Sequence, residues 1–159
     1  MRPLFILFIA LVLFRCSSAP DEKVETSMSH FKKMVKLPAE PSSVKWIIVN
    51  QGEEGSRMLE GPGDYYLLAI VSFREAEFDK LQAALEQHST KSNNVTRSRD
   101  FIRDWFPPSI KASFTEDDDG TEHINQAVYD AKDLGVSPLI HGDCFLTENN
   151  EMLLYLYTM

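Results

Sequence analysis

Residues 65–73 read YYLLAIVSF, an almost unbroken apolar run. A run of this length is typical of a central β-strand whose two faces are both covered. The turn sequence GPGD stands immediately before it, at residues 61–64. Residues 74–88 follow with three apolar side chains at helical spacing, Phe78, Leu81 and Leu85. The sequence therefore predicts a buried strand that leads directly into an amphipathic helix.

Further strands are predicted on both sides of this unit. Residues 44–50 read VKWIIVN and are rich in β-branched and aromatic side chains, as strands are. A turn is predicted directly after them, at residues 51–56. Near the C-terminus, residues 139–146 and 151–157 form two more predicted strands, and TENN at 147–150 joins them as a β-hairpin.

Two other stretches carry a helical pattern. Residues 28–35 have apolar positions three and four apart, which indicates an amphipathic helix. Residues 100–106 place four apolar side chains on one helical face, and two prolines at 107–108 end the pattern. A short strand is predicted beyond the prolines, at residues 110–114.

A further helix is predicted over residues 124–134, where apolar residues recur at helical spacing. Thr121 fits its N-cap and Gly135 its C-cap, although an extended conformation of residues 124–131 stays open. Helices and strands do not alternate regularly, and there is no internal repeat. We therefore predict a single α+β domain over residues 28–159, with an antiparallel or mixed sheet of about four to six strands and helices packed on one side.

Composition and charge narrow the range of partners. Hydrophobic residues make up 43% of the chain and charged residues 25%, as in ordinary globular proteins. The net charge is −8, and a protein this acidic is repelled by nucleic-acid phosphates. We therefore expect no nucleic-acid partner. Two short basic stretches are interpreted as solvated helix faces: Lys32, Lys33 and Lys36, and Arg97, Arg99 and Arg103.

The N-terminus has the pattern of an export signal. Residues 3–14 form an apolar run of 12 after the single basic residue Arg2, and small residues follow. A membrane-spanning helix needs about 20 apolar residues, so this run is too short to be one. Residues 1–15 are accordingly interpreted as a signal peptide. Their removal also takes away Arg15, leaves 14 basic against 24 acidic residues, and gives a mature net charge of −10.

The residues around Cys16 resemble a bacterial lipoprotein signal. Leu13 lies three positions before Cys16, and Ser17-Ser18 open a polar stretch after it. The resemblance covers the first 20 residues and implies that Cys16 is lipidated and becomes the mature N-terminus. Residues 16–27 would then form a polar tether, and two or more acyl chains would anchor the domain firmly in a membrane.

A second processing route remains open. Phe14 and Arg15 stand where lipoprotein signals carry small residues. Cleavage after Ser18 or Ala19 would instead release an unmodified protein into the periplasm or outside the cell.

Only two cysteines are present, so loss or lipidation of Cys16 leaves Cys144 without a disulfide partner. The sequence around it reads His141-Gly142-Asp143-Cys144 and suggests thiol chemistry. Because side chains alternate along a strand, His141 and Asp143 share one face while Cys144 lies on the other. We therefore predict a buried structural cysteine, and leave His141 with Asp143 as half of a possible polar site.

The acidic loop at residues 115–121 suggests a cation site. Aligned on Gly120, Asp117 and Asp119 occupy positions 3 and 5 of an EF-hand loop. Thr115 and Gln126 then replace the first aspartate and the bidentate glutamate, so a solvated loop is the expectation. We predict no cofactor and no metal, with Asp117 and Asp119 as weak candidates.

Four tyrosines lie in predicted strands, where a core or sheet-stacking role is expected and an exposed binding face is the alternative: Tyr65, Tyr66, Tyr155 and Tyr157.

These observations support two functional hypotheses. The first is a non-enzymatic module of the cell envelope, held on a membrane by its lipid or free in the periplasm or outside the cell, that binds an unknown protein or small molecule or has an accessory role. The second is a small exported hydrolase whose site is assembled from His141, Asp143 and the loop aspartates, a site that would need these groups to converge in a pocket.

Overall fold

The computed structural model describes residues 22–50 and 64–158. Within them, nine strands and three α-helices are formed. The helices are α1 (Met28–Met34), α2 (Glu75–His88) and α3 (Pro108–Lys111). The strands are β1 (Pro41–Asn50), β2 (Tyr65–Phe73), β3 (Lys91–Ser92), β4 (Thr96–Ser98), β5 (Phe114–Glu116), β6 (Thr121–Ile124), β7 (Val128–Asp130), β8 (His141–Thr147) and β9 (Glu151–Tyr157).

Six of these strands form one antiparallel sheet in the order β1-β2-β9-β8-β7-β3. The predicted strand at 65–73 is β2, which pairs with β1 on one side and β9 on the other. The predicted C-terminal hairpin is formed by β8 and β9 around residues 147–150. The α+β class, the single small domain and the antiparallel sheet are thus confirmed.

The large sheet is covered on both faces, because residues that alternate along its strands belong to two separate apolar clusters. One face packs against α1 and α2, through Phe31, Phe78 and Leu81. The other face packs against residues 101–124, including Phe101 and Ile110. These two clusters explain why β2 is apolar at nearly every position.

The second face corrects the prediction that the helices lie on one side. Ile110 places α3 on the face opposite α1 and α2. A small three-stranded sheet, in the order β4-β6-β5, lies in the same covering segment. The sequence did not predict this second layer.

Residues 99–114 differ most from the expectation. The predicted helix over residues 100–106 is wrong: the chain forms only a 3-10 turn at Arg99–Phe101. The predicted strand at residues 110–114 is also wrong, since α3 occupies Pro108–Lys111. Pro108 does not end a preceding helix. It begins α3, because proline suits the first helical turn.

The helix predicted over residues 124–134 is likewise absent. Strands β6 and β7 and a 3-10 turn at Lys132–Leu134 replace it. Thr121 begins a strand, and Gly135 has an extended backbone with φ of −80°. Pairing of β6 with β4 and β5, and of β7 with β8, overrides the local periodicity.

The chain joins the sheet before α1 begins. Glu25 exchanges two backbone hydrogen bonds with Trp46, of 2.8 and 2.9 Å, at the outer edge of β1. Val24 packs on the second face of the sheet. Residues 22–27 therefore lie against the domain, whereas the predicted signal peptide, Cys16 and the turns within residues 51–63 lie outside the described residues.

Candidate functional site

A row of aromatic side chains crosses one end of the large sheet. On the second face, His141 of β8 lies opposite Tyr157 of β9, which lies opposite Tyr66 of β2. The rings of His141 and Tyr157 stack, with centroids 5.5 Å apart and planes 26° apart. All three side chains are half-buried or exposed. We call these three residues, together with the half-buried Tyr65 on the opposite face of β2, the aromatic end of the sheet.

The tyrosines of β2 and β9 show both roles predicted for them, packing within the sheet and partial exposure. Tyr155 is the next residue of β9 on the same face, and its ring lies 5.4 Å from that of Tyr66 and 5.3 Å from that of Tyr157. These rings pack against one another along the sheet at tilted angles of 54° and 35°, as expected of cross-strand aromatics. Their outer members nevertheless stay partly exposed.

An ion pair lies next to this row, one position further from the end of the sheet. Asp143 lies opposite Tyr155 in the sheet, and its carboxylate accepts a hydrogen bond from the guanidinium of Arg97 on β4. The guanidinium carbon lies 5.2 Å from the ring centroids of both Phe101 and Tyr155. Both charged side chains are largely buried, with 17% of Arg97 and 22% of Asp143 exposed. The pair therefore fastens the small sheet to the large one.

Burial governs the electrostatics of this pair. Loss of water contact raises the pKa of Asp143, and the positive charge of Arg97 only partly opposes the shift. Burial raises the pKa of Tyr155 in the same way. Among the described residues, neither Asp143 Oδ1 nor Arg97 Nε has a hydrogen-bond partner. The arrangement is that of a structural ion pair in a largely buried site.

A second arginine connects the start of the described chain to the aromatic end. Arg103 donates a hydrogen bond of 2.7 Å to the hydroxyl of Tyr66, and its Nε lies 2.9 Å from the carboxylate of Glu22. The indole nitrogen of Trp105 donates to the same carboxylate over 3.4 Å. Glu22, the first described residue, therefore lies at this end of the sheet.

These contacts correct the interpretation of the arginine stretch as a solvated helix face. The stretch forms a strand and a 3-10 turn instead of an α-helix, and Arg97 and Arg103 are 17% and 19% exposed. Only Arg99 is well exposed, at 73%, where it pairs with Glu116 over 3.2 Å. Alternation within 96–98 could have indicated that Arg97 faces inward, but its partner Asp143 is 46 residues away. By contrast, Lys32, Lys33 and Lys36 are exposed, at α1 and just beyond it.

The predicted residues around Cys144 are placed as strand geometry requires. Asp143 faces the second layer, and Cys144 is fully buried in the cluster beneath α1 and α2. Burial raises the pKa of the Cys144 thiol well above its usual range. His141 stacks on Tyr157, on the face opposite the thiol. His141 and Cys144 therefore do not form a base–nucleophile pair.

The acidic loop is the turn of the hairpin formed by β5 and β6. Asp119 accepts a hydrogen bond of 2.9 Å from the backbone of Thr121, which lowers the pKa of that carboxyl. Asp117 lies 2.6 Å from Nε2 of His123, which is on β6. Within the described ranges, no group of three His, Cys, Asp or Glu side chains could hold a metal ion.

A groove of about 560 Å³ lies elsewhere, between the C-terminal ends of α1 and α2. Leu37, Pro38, His88 and Asp133 are among the residues that line it. None of the residues predicted as site candidates is part of this lining. Sequence reasoning had no signal for the groove, because its walls come from three separate segments.

No protein-family model, no curated protein and no solved structure matches this chain. In the parts of the chain that are described, no helix is long and apolar enough to cross a membrane.

Proposed function

We propose that this protein is an exported module of the cell envelope, anchored by lipid on Cys16, that binds another molecule and carries out no reaction of its own. The apolar run of residues 3–14, the position of Leu13 and the polar residues after Cys16 support export and anchoring. The aromatic end supplies the binding surface.

The observation that carries the proposal is that the carboxylates a hydrolase would use are already engaged in ion pairs or hydrogen bonds. Asp143 would have to give up Arg97 before it could act as a base. The two loop aspartates are engaged by other partners, Asp117 by His123 and Asp119 by the backbone of Thr121. Catalysis requires a base within hydrogen-bond reach of the proton that it removes, and each of these carboxylates already serves its own local contact.

The aromatic end has the chemistry of a recognition surface. Tyrosine combines a large apolar ring with a hydroxyl that can form hydrogen bonds, which is why it is enriched at binding surfaces. Tyr66 is held by Arg103, and Tyr157 is held between Tyr155 and His141. Side chains that are already fixed lose little conformational entropy when they bind.

The anchoring is tested by expressing the full chain in a bacterium that processes lipoproteins and measuring the mass of the purified product. We expect a product that begins at Cys16 and is heavier than residues 16–159 by an acylated glycerol. Cys16→Ser should move the protein from the membrane fraction to the soluble fraction, after cleavage at Ser18 or Ala19. Cys144→Ala is the matched control, because it removes the other cysteine and should leave the protein in the membrane fraction.

An unmodified wild-type protein that begins at Ala19 or Pro20 and stays soluble would contradict the lipid anchor. Export would stand in that case, because both processing routes begin from the same apolar run of residues 3–14.

A further inference from the structure

We propose that the aromatic end rests on the membrane surface, so that the domain sits directly on the bilayer that holds its lipid. This inference depends on the proposed function for the anchor, and it adds the identity of what the aromatic end binds: the interface of a phospholipid bilayer.

The path of the chain supports this orientation. Cys16 lies six residues before Glu22, and six residues span at most about 20 Å when fully extended. Glu22 is held at the aromatic end by Arg103 and Trp105, and Arg103 also contacts Tyr66. A lipid on Cys16 would therefore keep this end of the sheet within about 20 Å of the bilayer.

The side chains at this end suit an interface between water and hydrocarbon. Among the described residues, Ile48 and Ile140 are the large hydrophobic side chains that remain exposed, at 43% and 51%. Ile48 pairs with Leu67 and Ile140 directly precedes His141, so both lie at the same end of the sheet as the aromatic row, but on its opposite face. Tyrosine and tryptophan are enriched at the headgroup level of membranes, and an end of the sheet that exposes apolar side chains on both faces can insert them into the interface together.

The charges at this end favour an apolar contact over an electrostatic one. Arg97 is paired with Asp143, and Arg103 with Glu22. Lys23, which directly follows Glu22, is paired with Glu25 over 2.8 Å. Since these cations are neutralised locally, attraction to anionic lipids should be weak. Binding should therefore occur on zwitterionic lipid and depend little on salt.

The test uses the soluble Cys16→Ser protein and vesicles of phosphatidylcholine, with the bound fraction measured by sedimentation. We expect binding that is nearly unchanged between low and high salt. The double variant Ile48→Ser/Ile140→Ser should lower the partition coefficient about tenfold, equivalent to about 1.4 kcal/mol, because together the two half-exposed side chains offer about one isoleucine's worth of apolar surface. Leu146→Ser is the control, because Leu146 is a half-buried leucine at the opposite end of β8, and its partition coefficient should not change.

A second measurement reports the same contact through Trp105. Brominated phosphatidylcholine should quench the tryptophan fluorescence of the Cys16→Ser protein, and the quenching should disappear in Trp105→Phe. The remaining tryptophan, Trp46, is only 6% exposed and lies in the core, so it should stay unquenched.

Three results would overturn the inference. The first is equal partitioning of the parent and the isoleucine variant. The second is binding that occurs only on anionic vesicles. The third is a dimer that the isoleucine substitutions dissociate, while vesicles bind neither the parent nor the variant. The anchor and the contact surface fail separately. Absence of lipid on Cys16 with intact vesicle binding removes only the anchor, and a lipidated protein whose Cys16→Ser form ignores vesicles removes only the contact surface.

Discussion

Replacing Arg97 with methionine should destabilise the domain more than any other arginine substitution in residues 96–103. The change removes the ion pair with Asp143 and the contacts with the rings of Phe101 and Tyr155, while keeping an unbranched apolar side chain. It leaves the Asp143 carboxylate largely buried without its cation. The variant tests whether this pair fastens the small sheet to the large one.

The magnitude follows from the exposure of the two side chains. Removing one partner of a fully buried ion pair costs about 3–5 kcal/mol, whereas exposed pairs contribute about 0–1 kcal/mol. With 17% and 22% of the side chains exposed, the Arg97–Asp143 pair lies nearer the buried limit. We expect Arg97→Met to lower the free energy of unfolding by roughly 2–3 kcal/mol. Arg99→Met should lower it by less than about 0.5 kcal/mol, because Arg99 is 73% exposed.

Urea denaturation followed by circular dichroism measures these differences. Asp143→Asn and the double variant complete a cycle with Arg97→Met, and the cycle isolates the energy of the pair from the packing of the arginine. We expect a coupling energy of about 1–2 kcal/mol. A coupling near zero, or an equal loss for Arg97→Met and Arg99→Met, would refute the reasoning that this pair holds the two sheets together.

The same pair predicts a dependence on pH. Because the pKa of Asp143 is raised in the folded state, the folded protein binds this proton more tightly than the unfolded chain. The contribution of Asp143 to stability should therefore fall as the pH rises through the window between its unfolded and folded pKa values. The slope should vanish in Asp143→Asn. In Arg97→Met the pKa, measured by NMR of the side-chain carboxyl, should rise further, since only Arg97 opposes the shift strongly; an unchanged value would contradict this account.

Two further predictions concern the core and one tight loop. Cys144→Ala should cost about 1 kcal/mol in urea denaturation, and the native thiol should react with an alkylating reagent only on unfolding, because Cys144 is fully buried; rapid labelling of the native protein would contradict this. Gly135→Ala should cost about 2–3 kcal/mol in the same assay, because a Cβ at this position would lie 1.8 Å from the carbonyl oxygen of Leu139. Gly120→Ala is its control: Gly120 has open space around it and a φ of +81°, so backbone strain alone should cost about 1 kcal/mol, and equal losses for the two variants would argue against the close approach.

The sequence predicted best the elements whose conformation and packing depend on residues close to them in the chain. Strand β2 and helix α2 follow one another directly, and each carries enough apolar residues to fix its own period. The hairpin of β8 and β9 has a short connection, so its pairing is local. The same alternation correctly placed Cys144 on the face opposite His141 and Asp143.

Residues 99–134 could not be predicted in the same way, because their conformation depends on distant partners. Phe101 and Trp105 have helical spacing, but both pack against the large sheet from a segment without an α-helix. Strands β6 and β7 are four and three residues long, too short for a clear period, and their partner strands decide that they are extended.

The sequence by itself determined the acidic charge, the export signal pattern, the α+β composition and the central strands, because these depend on composition or on local periodicity. Only the tertiary structure decided which charges are buried and which aromatics stay exposed. Arg97 meets Asp143, and Glu22 meets Arg103, across 46 and 81 residues of chain. The aromatic end likewise combines three strands whose register is set by backbone hydrogen bonds. Contacts between distant residues arise only when the sheet forms, and no local pattern in the sequence records them.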